Sequence, residues 1–315
     1  MVGSHLADYI LTNHSNVEVH GLIRWRSPRE NILHIENKVI LHNGDLHDLN
    51  SLINVVNVVR PDRVFHLAGQ SYVMDSFNQP AETLSLNIIG TVNLLDSIRY
   101  FELDPLIHIC SSSEVYGQVS EDELPITETV ALRPASPYAV SKVGEDMVAY
   151  QYFVSYGLRT IRTRMFTHTG PRRGDVFSES AFARQIAEIE AGVHHDGVLK
   201  VGNLESMRTY ADVRDAVRAY WLLLEKCVPG EVYNIGGDQS ISVGKMLDIL
   251  KGLSTKSINH DVCLTLLRPS DVTLQIPDVR KFKNMTGWEP EIPLEQTLED
   301  LLAYHRKKIA TMVCF

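Results

Sequence analysis

Short apolar runs alternate with helical stretches through the first half of the chain, and this alternation limits the fold more than any other feature. Residues 17–23, 39–42, 63–68, 106–110 and 158–166 read as strands, with helices over 48–59, 81–100 and 138–156. Strands so continuously apolar must be covered on both faces, and parallel strands joined by helices supply that cover. The expected fold class is therefore α/β, a doubly wound parallel sheet. In such sheets a ligand sits beyond the carboxyl ends of the strands. Ala68-Gly69-Gln70-Ser71 follows one strand there, and Ser111-Ser112-Ser113-Glu114 follows the next.

The second half is more broken. A loop at 170–174 precedes a helix over 179–191, and short strands at 199–201 and 231–235 flank a helix over 212–226. A helix over 243–253, a strand over 263–267 and a last helix over 294–308 complete the pattern. We read residues 1–166 as a dinucleotide-binding domain and 167–315 mainly as a smaller C-terminal substrate-binding lobe, interleaved with the last strands of the sheet. Neither an internal repeat nor a low-complexity linker separates them.

Composition excludes more than it selects. A net charge of −9 argues against nucleic acid as a partner, although local arginines can still bind an anion. No apolar run approaches the roughly 18 residues of a membrane span. Residues 1–5 show no basic region followed by an apolar stretch, so the expected location is the cytoplasm. Cys110, Cys227, Cys263 and Cys314 are far apart and read as reduced thiols. The histidines lack metal-ligand spacing, so no metal site is expected.

The chemistry concentrates in Ser111-Ser112-Ser113-Glu114-Val115-Tyr116-Gly117 and Tyr138-Ala139-Val140-Ser141-Lys142. Residues four apart share a helix face, which brings Lys142 near the Tyr138 phenol. An ammonium there favours the phenolate and is expected to draw the tyrosine down toward the range of a general base. The serines add hydroxyl donors, and Glu114 adds a carboxylate. Base, tuning cation, hydroxyl and carboxylate together suit sugar oxidation followed by proton abstraction.

One piece of a dinucleotide fold is missing from the pattern. Such folds open with a strand and a glycine-rich turn, whereas here an amphipathic helix runs from the start to about Asn13. Gly3 stands as the last glycine of a Gly-x-x-Gly-x-x-Gly turn, so the first strand and the start of the glycine-rich loop are expected to be absent. Two sheet edges should be exposed in consequence. A start site placed too late and a loss of cofactor binding both account for this.

With these residues in view, the chain resembles the extended short-chain dehydrogenase/reductase superfamily, whose fold is of the Rossmann type. Within it, the chain is most similar to the GDP-mannose 4,6-dehydratases and the related GDP-4-keto-6-deoxymannose reductases. Gly21-Leu22-Ile23-Arg24-Trp25-Arg26-Ser27 resembles the family's segment for the 2′-phosphate of NADP. Paired charge-assisted bonds from arginine suit that phosphate, and an NAD site would place Asp or Glu instead. The resemblance implies NADP, in preference to NAD, held by Gly3, Arg24, Arg26, Ser27, Asp45, Leu46, Ala68, Ser71, Tyr138 and Lys142. It implies GDP-mannose or a related nucleotide sugar held by Thr167, Arg172, Arg173, Asn203, Arg208 and Arg268. It also implies a homodimer or homotetramer. Thr167 stands where the family has Asn, and Trp25 replaces a second arginine-type residue, so the hexose is left open.

The implied roles are specific. Tyr138, activated by Lys142, takes the C4 hydroxyl proton as a hydride leaves C4 for the nicotinamide. Glu114 removes the C5 proton, the C6 hydroxyl leaves as water, and the hydride returns to C6. Either Ser112 or Ser113 assists; by register the choice is Ser112. A reductase that consumes NADPH and a non-catalytic sugar-nucleotide-binding protein stand as alternatives.

Overall fold

The computed structural model describes residues 1–193 and 197–313, and Cys314 lies outside them. Helix α1 (Val2–Asn13) leads to β1 (His20–Ile23), which pairs in parallel with β2 (Ile40–Asn43). Helix α2 (Leu49–Val59) begins where the Asp48 carboxylate accepts from the Asn50 amide at 3.0 Å, a side-chain N-cap. It is followed by β3 (Arg63–His66), α3 (Val73–Asn78) and α4 (Pro80–Leu84). The single helix expected over 81–100 is divided: α4 runs through a π-helical turn, Ser85–Ile89, into α5 (Gly90–Tyr100). That wider turn holds the buried Asn87, whose amide donates to Gln70 O at 2.9 Å and Ser141 Oγ at 2.8 Å.

Next come β4 (Leu106–Ser112), α6 (Pro137–Tyr156) and β5 (Arg159–Met165). The remaining elements are β6 (His168–Thr169), α7 (Ser178–Glu190), β7 (Val198–Val201), β8 (Met207–Thr209), β9 (Ala211–Asp212) and α8 (Val213–Lys226), then β10 (Val232–Ile235) and β11 (Ser240–Ser242). The chain closes with α9 (Val243–Gly252), β12 (Asn259–Val262), β13 (Leu274–Gln275), α10 (Arg280–Thr286) and α11 (Leu294–Val313).

The main sheet is parallel, in the order β10-β5-β4-β3. Its strands are covered on both faces, as their apolar runs require. On one face Ile107 and Ile109 of β4 pack with Leu95 and Ile98 of α5 and Ala149 of α6, all fully buried. Burial of each such isoleucine contributes roughly 1.5–3 kcal/mol. On the other face His108 and Cys110 meet Tyr220 of α8. β10 comes from beyond residue 166, so both halves of the chain contribute to this sheet.

Among the described residues the β1–β2 pair is a separate sheet, with no strand hydrogen-bonded between β1 and β3. Each therefore has an edge without a strand partner, as expected. Val64 and Phe65 of β3 are only partly buried, while Ile107 and Ile109 on the next strand are fully so. Leu6 and Ile10 of α1 pack on Val217 and Trp221 of α8.

A second core lies among α7, α9 and α11, around Leu199 and Val201 of β7. The strand expected over 263–267 is displaced. The partner of β7 is Asn259–Val262, and Leu264–Leu266 is a 3-10 turn. β7 ends at Val201, whose carbonyl takes its last bond from Cys263 N at 2.8 Å, so no ladder remains for the residues beyond. Leu264, Leu266 and Leu267 are exposed.

Candidate active site

The first turn of α6 is set by local chemistry. Ser136 caps it, its Oγ accepting from Ala139 N at 3.0 Å, and Pro137 occupies the position where a missing N–H costs nothing. Gly157, in the left-handed conformation at φ 73°, ends it. This fixes Tyr138 and Lys142 against the carboxyl end of β4. Ser111 Oγ donates to Lys142 O at 3.1 Å, and Lys142 Nζ donates to Cys110 O at 2.9 Å. The chain leaves β4 through a 3-10 turn, Ser113–Tyr116, capped by Ser112 Oγ, which accepts from Glu114 N at 3.2 Å. Gly117 closes that turn at φ 62°.

These pieces face a cleft of about 780 Å³ between the two cores. Its wall includes Ser112, Glu114, Tyr138 and Lys142, so the four expected catalytic residues are together. Ser71 of the expected cofactor set lines it, as do Thr167, Arg173, Asn203, Arg208 and Arg268 of the expected substrate set. Ala68 is exposed beside it, next to Gly69 in the wall.

Other expected residues lie outside this wall. Gly3 is exposed in the first turn of α1. Arg24 and Arg26 are exposed in the turn after β1, with the Arg26 guanidinium stacked 4.4 Å from the centre of the Trp25 ring and Ser27 N bonded to Arg24 O. Asp45 follows β2 and accepts from His47 N at 3.0 Å, while Leu46 is buried against Gly90. Arg172 is turned to α1, where it pairs with Asp8 Oδ2 at 2.7 Å and donates to Ser4 Oγ at 3.1 Å.

Lys142 Nζ lies 6.0 Å from the Tyr138 ring centre, close enough for its charge to act on the phenol. The expected net lowering of Tyr138 is nevertheless not found. Burial raises the phenol above its ordinary value, and outweighs the lowering effects of Lys142 and of a hydrogen bond with Ser112. A residue that sequence reasoning missed adds a smaller raising contribution. Glu145, one turn beyond Lys142 and fully buried, takes bonds from Lys142 Nζ at 3.1 Å and 2.8 Å on its two oxygens. Burial opposes the Lys142 charge, yet Glu145, Tyr138 and Cys110 together raise its pKa. Burial raises Glu145 to about 7 against the pull of Lys142. A carboxylate three residues after a lysine shares its helix face, which was the available signal.

Glu114 sits beside Gln275, whose Nε2 donates to Oε1 at 3.4 Å, and Arg268 Nη1 stands 3.8 Å from the same oxygen. Gln275 Oε1 in turn accepts from Ser113 Oγ at 3.1 Å. Asp271 gathers the far wall: its Oδ2 accepts from Asn203 Nδ2 at 2.7 Å and Ser206 Oγ at 3.0 Å, and Arg208 and Arg268 stand within 3.6 Å of its Oδ1. Gln275 was also missed, because only the fold brings it to the serine run; Asp271 closes the Arg268-Pro269-Ser270-Asp271 segment that resembles a nucleotide-sugar-binding motif of the family.

The wall suits a long ligand rich in hydroxyls and anionic groups. Gly69 lines the cleft where a side chain would crowd the buried Asn87, since a Cβ there would stand 2.9 Å from Asn87 Oδ1. Hydroxyls, amides and one ammonium lie on its side, and cationic side chains on the other. This donor set fits a nicotinamide dinucleotide beside a nucleotide sugar.

Comparison with known proteins agrees. The family model described as GDP-mannose 4,6 dehydratase matches residues 1–301. GDP-6-deoxy-D-mannose reductase of Pseudomonas aeruginosa is 34% identical over 243 residues, 77% of this chain and 80% of the relative. GDP-mannose 4,6 dehydratase 1 of Arabidopsis thaliana is 32% identical over 98% of this chain and 89% of its own. The solved structure of RMD from Pseudomonas aeruginosa complexed with NADPH superposes with a TM-score of 0.83 at 30% identity, covering 98% of this chain and 96% of that one. A helix bearing a tyrosine and a lysine four apart beside a carboxylate, on this sheet, with a match over nearly the whole length, leads to one conclusion: the chain belongs to the GDP-mannose 4,6 dehydratase family.

Proposed function

We propose that this chain is a nucleotide-sugar 4,6-dehydratase that uses NADP and converts GDP-mannose to GDP-4-keto-6-deoxymannose and water. The observation that carries the reading is Glu114 in the cleft with Tyr138, Lys142 and Ser112. A simple C4 oxidation needs only the tyrosine, lysine and hydroxyl, whereas removing the C5 proton needs a further base. Bound NADP supplies a hydride acceptor at C4 that later returns the hydride to C6. Tyr138 holds the proton taken from the C4 hydroxyl, with Ser112 bonded beside it. Glu114, oriented by Gln275, would take the proton from C5, which the C4 ketone acidifies, and pass it to the C6 hydroxyl, which departs as water; the proton held by Tyr138 balances the one that C5 regains as the hydride reaches C6. Ser112 assists that departure.

Gly3, Arg24, Arg26, Ser27, Asp45, Leu46, Ala68, Ser71, Tyr138 and Lys142 would hold the dinucleotide, with Arg24 and Arg26 for a 2′-phosphate. Thr167, Arg173, Asn203, Arg208 and Arg268 would hold the sugar and diphosphate, and Arg172 would serve from the loop before α7. Cytoplasmic residence rests on the unpaired Cys110, Cys227 and Cys263. Assembly into a homodimer or homotetramer is supported by an exposed apolar stripe on α6, Val140, Met147, Tyr150 and Val154, beside Ile89 and Tyr100.

The similarity to a reductase supports a second reading, in which the same site reduces a 4-keto sugar at the expense of NADPH. Incubation with GDP-mannose and a catalytic amount of NADP separates the two. The dehydratase gives the 4-keto-6-deoxy sugar with no net change in NADPH absorbance, and Glu114→Gln lowers kcat at least 100-fold while dinucleotide binding persists. Stoichiometric NADPH loss with a 4-keto-6-deoxy substrate, and no reaction of GDP-mannose, would establish the reductase instead.

A further inference from the structure

Lys142 has three N–H donors, and the protein engages all of them. One goes to Cys110 O at 2.9 Å, and the others meet Glu145 Oε2 at 2.8 Å and Oε1 at 3.1 Å. The only cation bonded to Glu145 among the described residues is Lys142. Its neighbour Asp146 turns away to Arg162 and Arg164 of β5. From β4 come the Cys110 thiol, which burial keeps protonated, and His108, which burial keeps neutral with a pKa of about 3. From β3 comes His66, also neutral for the same reason, and bonded to Thr91 of α5 at 2.9 Å. From α8 comes the Tyr220 hydroxyl, 3.4 Å from Cys110 Sγ. The loop after β3 passes at Gly69, where a Cβ would lie 3.9 Å from Glu145 Oε1. None of these other groups can offset a charge on Glu145.

We propose that Glu145 is a positioning residue for the catalytic pair: it clamps the Lys142 ammonium and offsets the charge that Tyr138 feels, and so sets the pH at which Tyr138 acts as a base. The proposal rests on the assignment of Tyr138 as the base of the proposed reaction. The physical logic is additive. A cation near a phenol favours the phenolate, and an anion on the far side of that cation removes part of the benefit. Protonating Glu145, or exchanging it for a neutral acceptor of the same shape, restores the full charge of Lys142. The clamp also leaves Lys142 no free donor for a ribose hydroxyl until Glu145 yields one, so the residue couples base strength to cofactor seating.

The test compares wild type with Glu145→Gln and Glu145→Asp by two readouts. The first is the pH dependence of kcat/KM for GDP-mannose. Glu145→Gln should move the acid limb down by about one pH unit, within the upper bound of about three units for one charge acting across a few ångströms at an effective dielectric near 20. At a fixed pH on that limb its rate should exceed wild type by about tenfold. The second readout is the Tyr138 titration in protein without cofactor or substrate, followed by 13Cζ-tyrosine NMR and assigned with Tyr138→Phe. Its midpoint should fall in parallel. Glu145→Asp keeps the charge and should return both values toward wild type; this variant also serves, through a smaller shift of the same sign, where Glu145→Gln does not fold. An unmoved Tyr138 midpoint, or a shift upward, overturns the proposal. Wild type that forms no product from GDP-mannose overturns the dehydratase reading instead, and the NMR titration then decides on Glu145 by itself.

Discussion

Asp146→Ala should destabilise the protein through β5, the strand beneath α6. Asp146 is fully buried on α6; its Oδ1 accepts from Arg162 Nη1 at 2.7 Å and its Oδ2 from Arg164 Nε at 2.8 Å. Both arginines are buried on β5. After removal of the carboxylate, Arg162 keeps Gly230 O at 2.7 Å, and Arg164 keeps Glu128 O at 2.9 Å and the Tyr116 hydroxyl at 3.1 Å. Two guanidinium ions would then sit in the core with neutral acceptors only. Breaking a buried ion pair costs about 3–5 kcal/mol, and the loss of one partner by two cations puts this case near ~5 kcal/mol. Total stabilities are about 5–15 kcal/mol, so much of the margin disappears. At roughly 2 °C per kcal/mol for a chain of this size, Tm should fall by about 10 °C. Asp146→Asn keeps the shape and one acceptor and should lose about half as much. Thermal unfolding by circular dichroism, with urea titration to compare m-values, measures both. A loss below about 1 kcal/mol for the alanine variant would refute the reasoning, because it would mean that the guanidinium ions find water or other anions.

Two further outcomes follow from buried groups and from one backbone turn. His5, His66 and His108 are buried in the neutral form, with pKa values lowered by desolvation to about 4, 3 and 3. Their contribution is complete above the unfolded value of about 6.5 and is lost as pH falls toward the folded values, about 2 kcal/mol each by pH 5. Glu145, raised to about 7, works in the opposite direction over the same range by about as much as one histidine, so Tm should still drop by several degrees from pH 7 to pH 5; a flat profile refutes it. Gly117→Ala should abolish stable folding or cost at least ~3 kcal/mol, since φ is 62° and the new Cβ would lie 1.7 Å from Arg133 O. Gly252→Ala, at a helical position with nothing within 4 Å of its Cβ, should instead be neutral or stabilise by about 0.5–1 kcal/mol. Equal effects in urea unfolding would sink that contrast.

What was legible in the sequence is what local physics decides. Strands buried on both faces must be apolar throughout, which is why β3, β4 and β5 could be placed within a few residues. Ser136-Pro137 marks the start of α6 because a cap and a proline both belong there. β12 was not legible, because Asn259, His260, Asp261 and Val262 are all exposed and carry no apolar period. The π turn that presents Asn87 left no mark either, since its sequence is as helical as its flanks. Nor does a string of letters say that the carboxylate three residues past a lysine is fully buried, or that burial of the Tyr138 phenol itself outweighs the pull of Lys142.

The substrate side of the site is where this limit has most consequence. Segment 271–278 is fastened to the chain that follows β4. Gln275 bonds Ser113 and Glu114, Thr273 N donates to Gln118 Oε1 at 3.1 Å, and Ile126 N and Asp278 N exchange bonds with Ile276 O and Ile126 O at 2.8 Å. The same segment carries Asp271, which holds Asn203 and approaches Arg208 and Arg268. A displacement of this strap must therefore move the far wall of the cleft and the support of Glu114 together. The support of Glu114 at Gln275 and the Asn203, Arg208 and Arg268 cluster at Asp271 thus hang on one short strap, four residues apart.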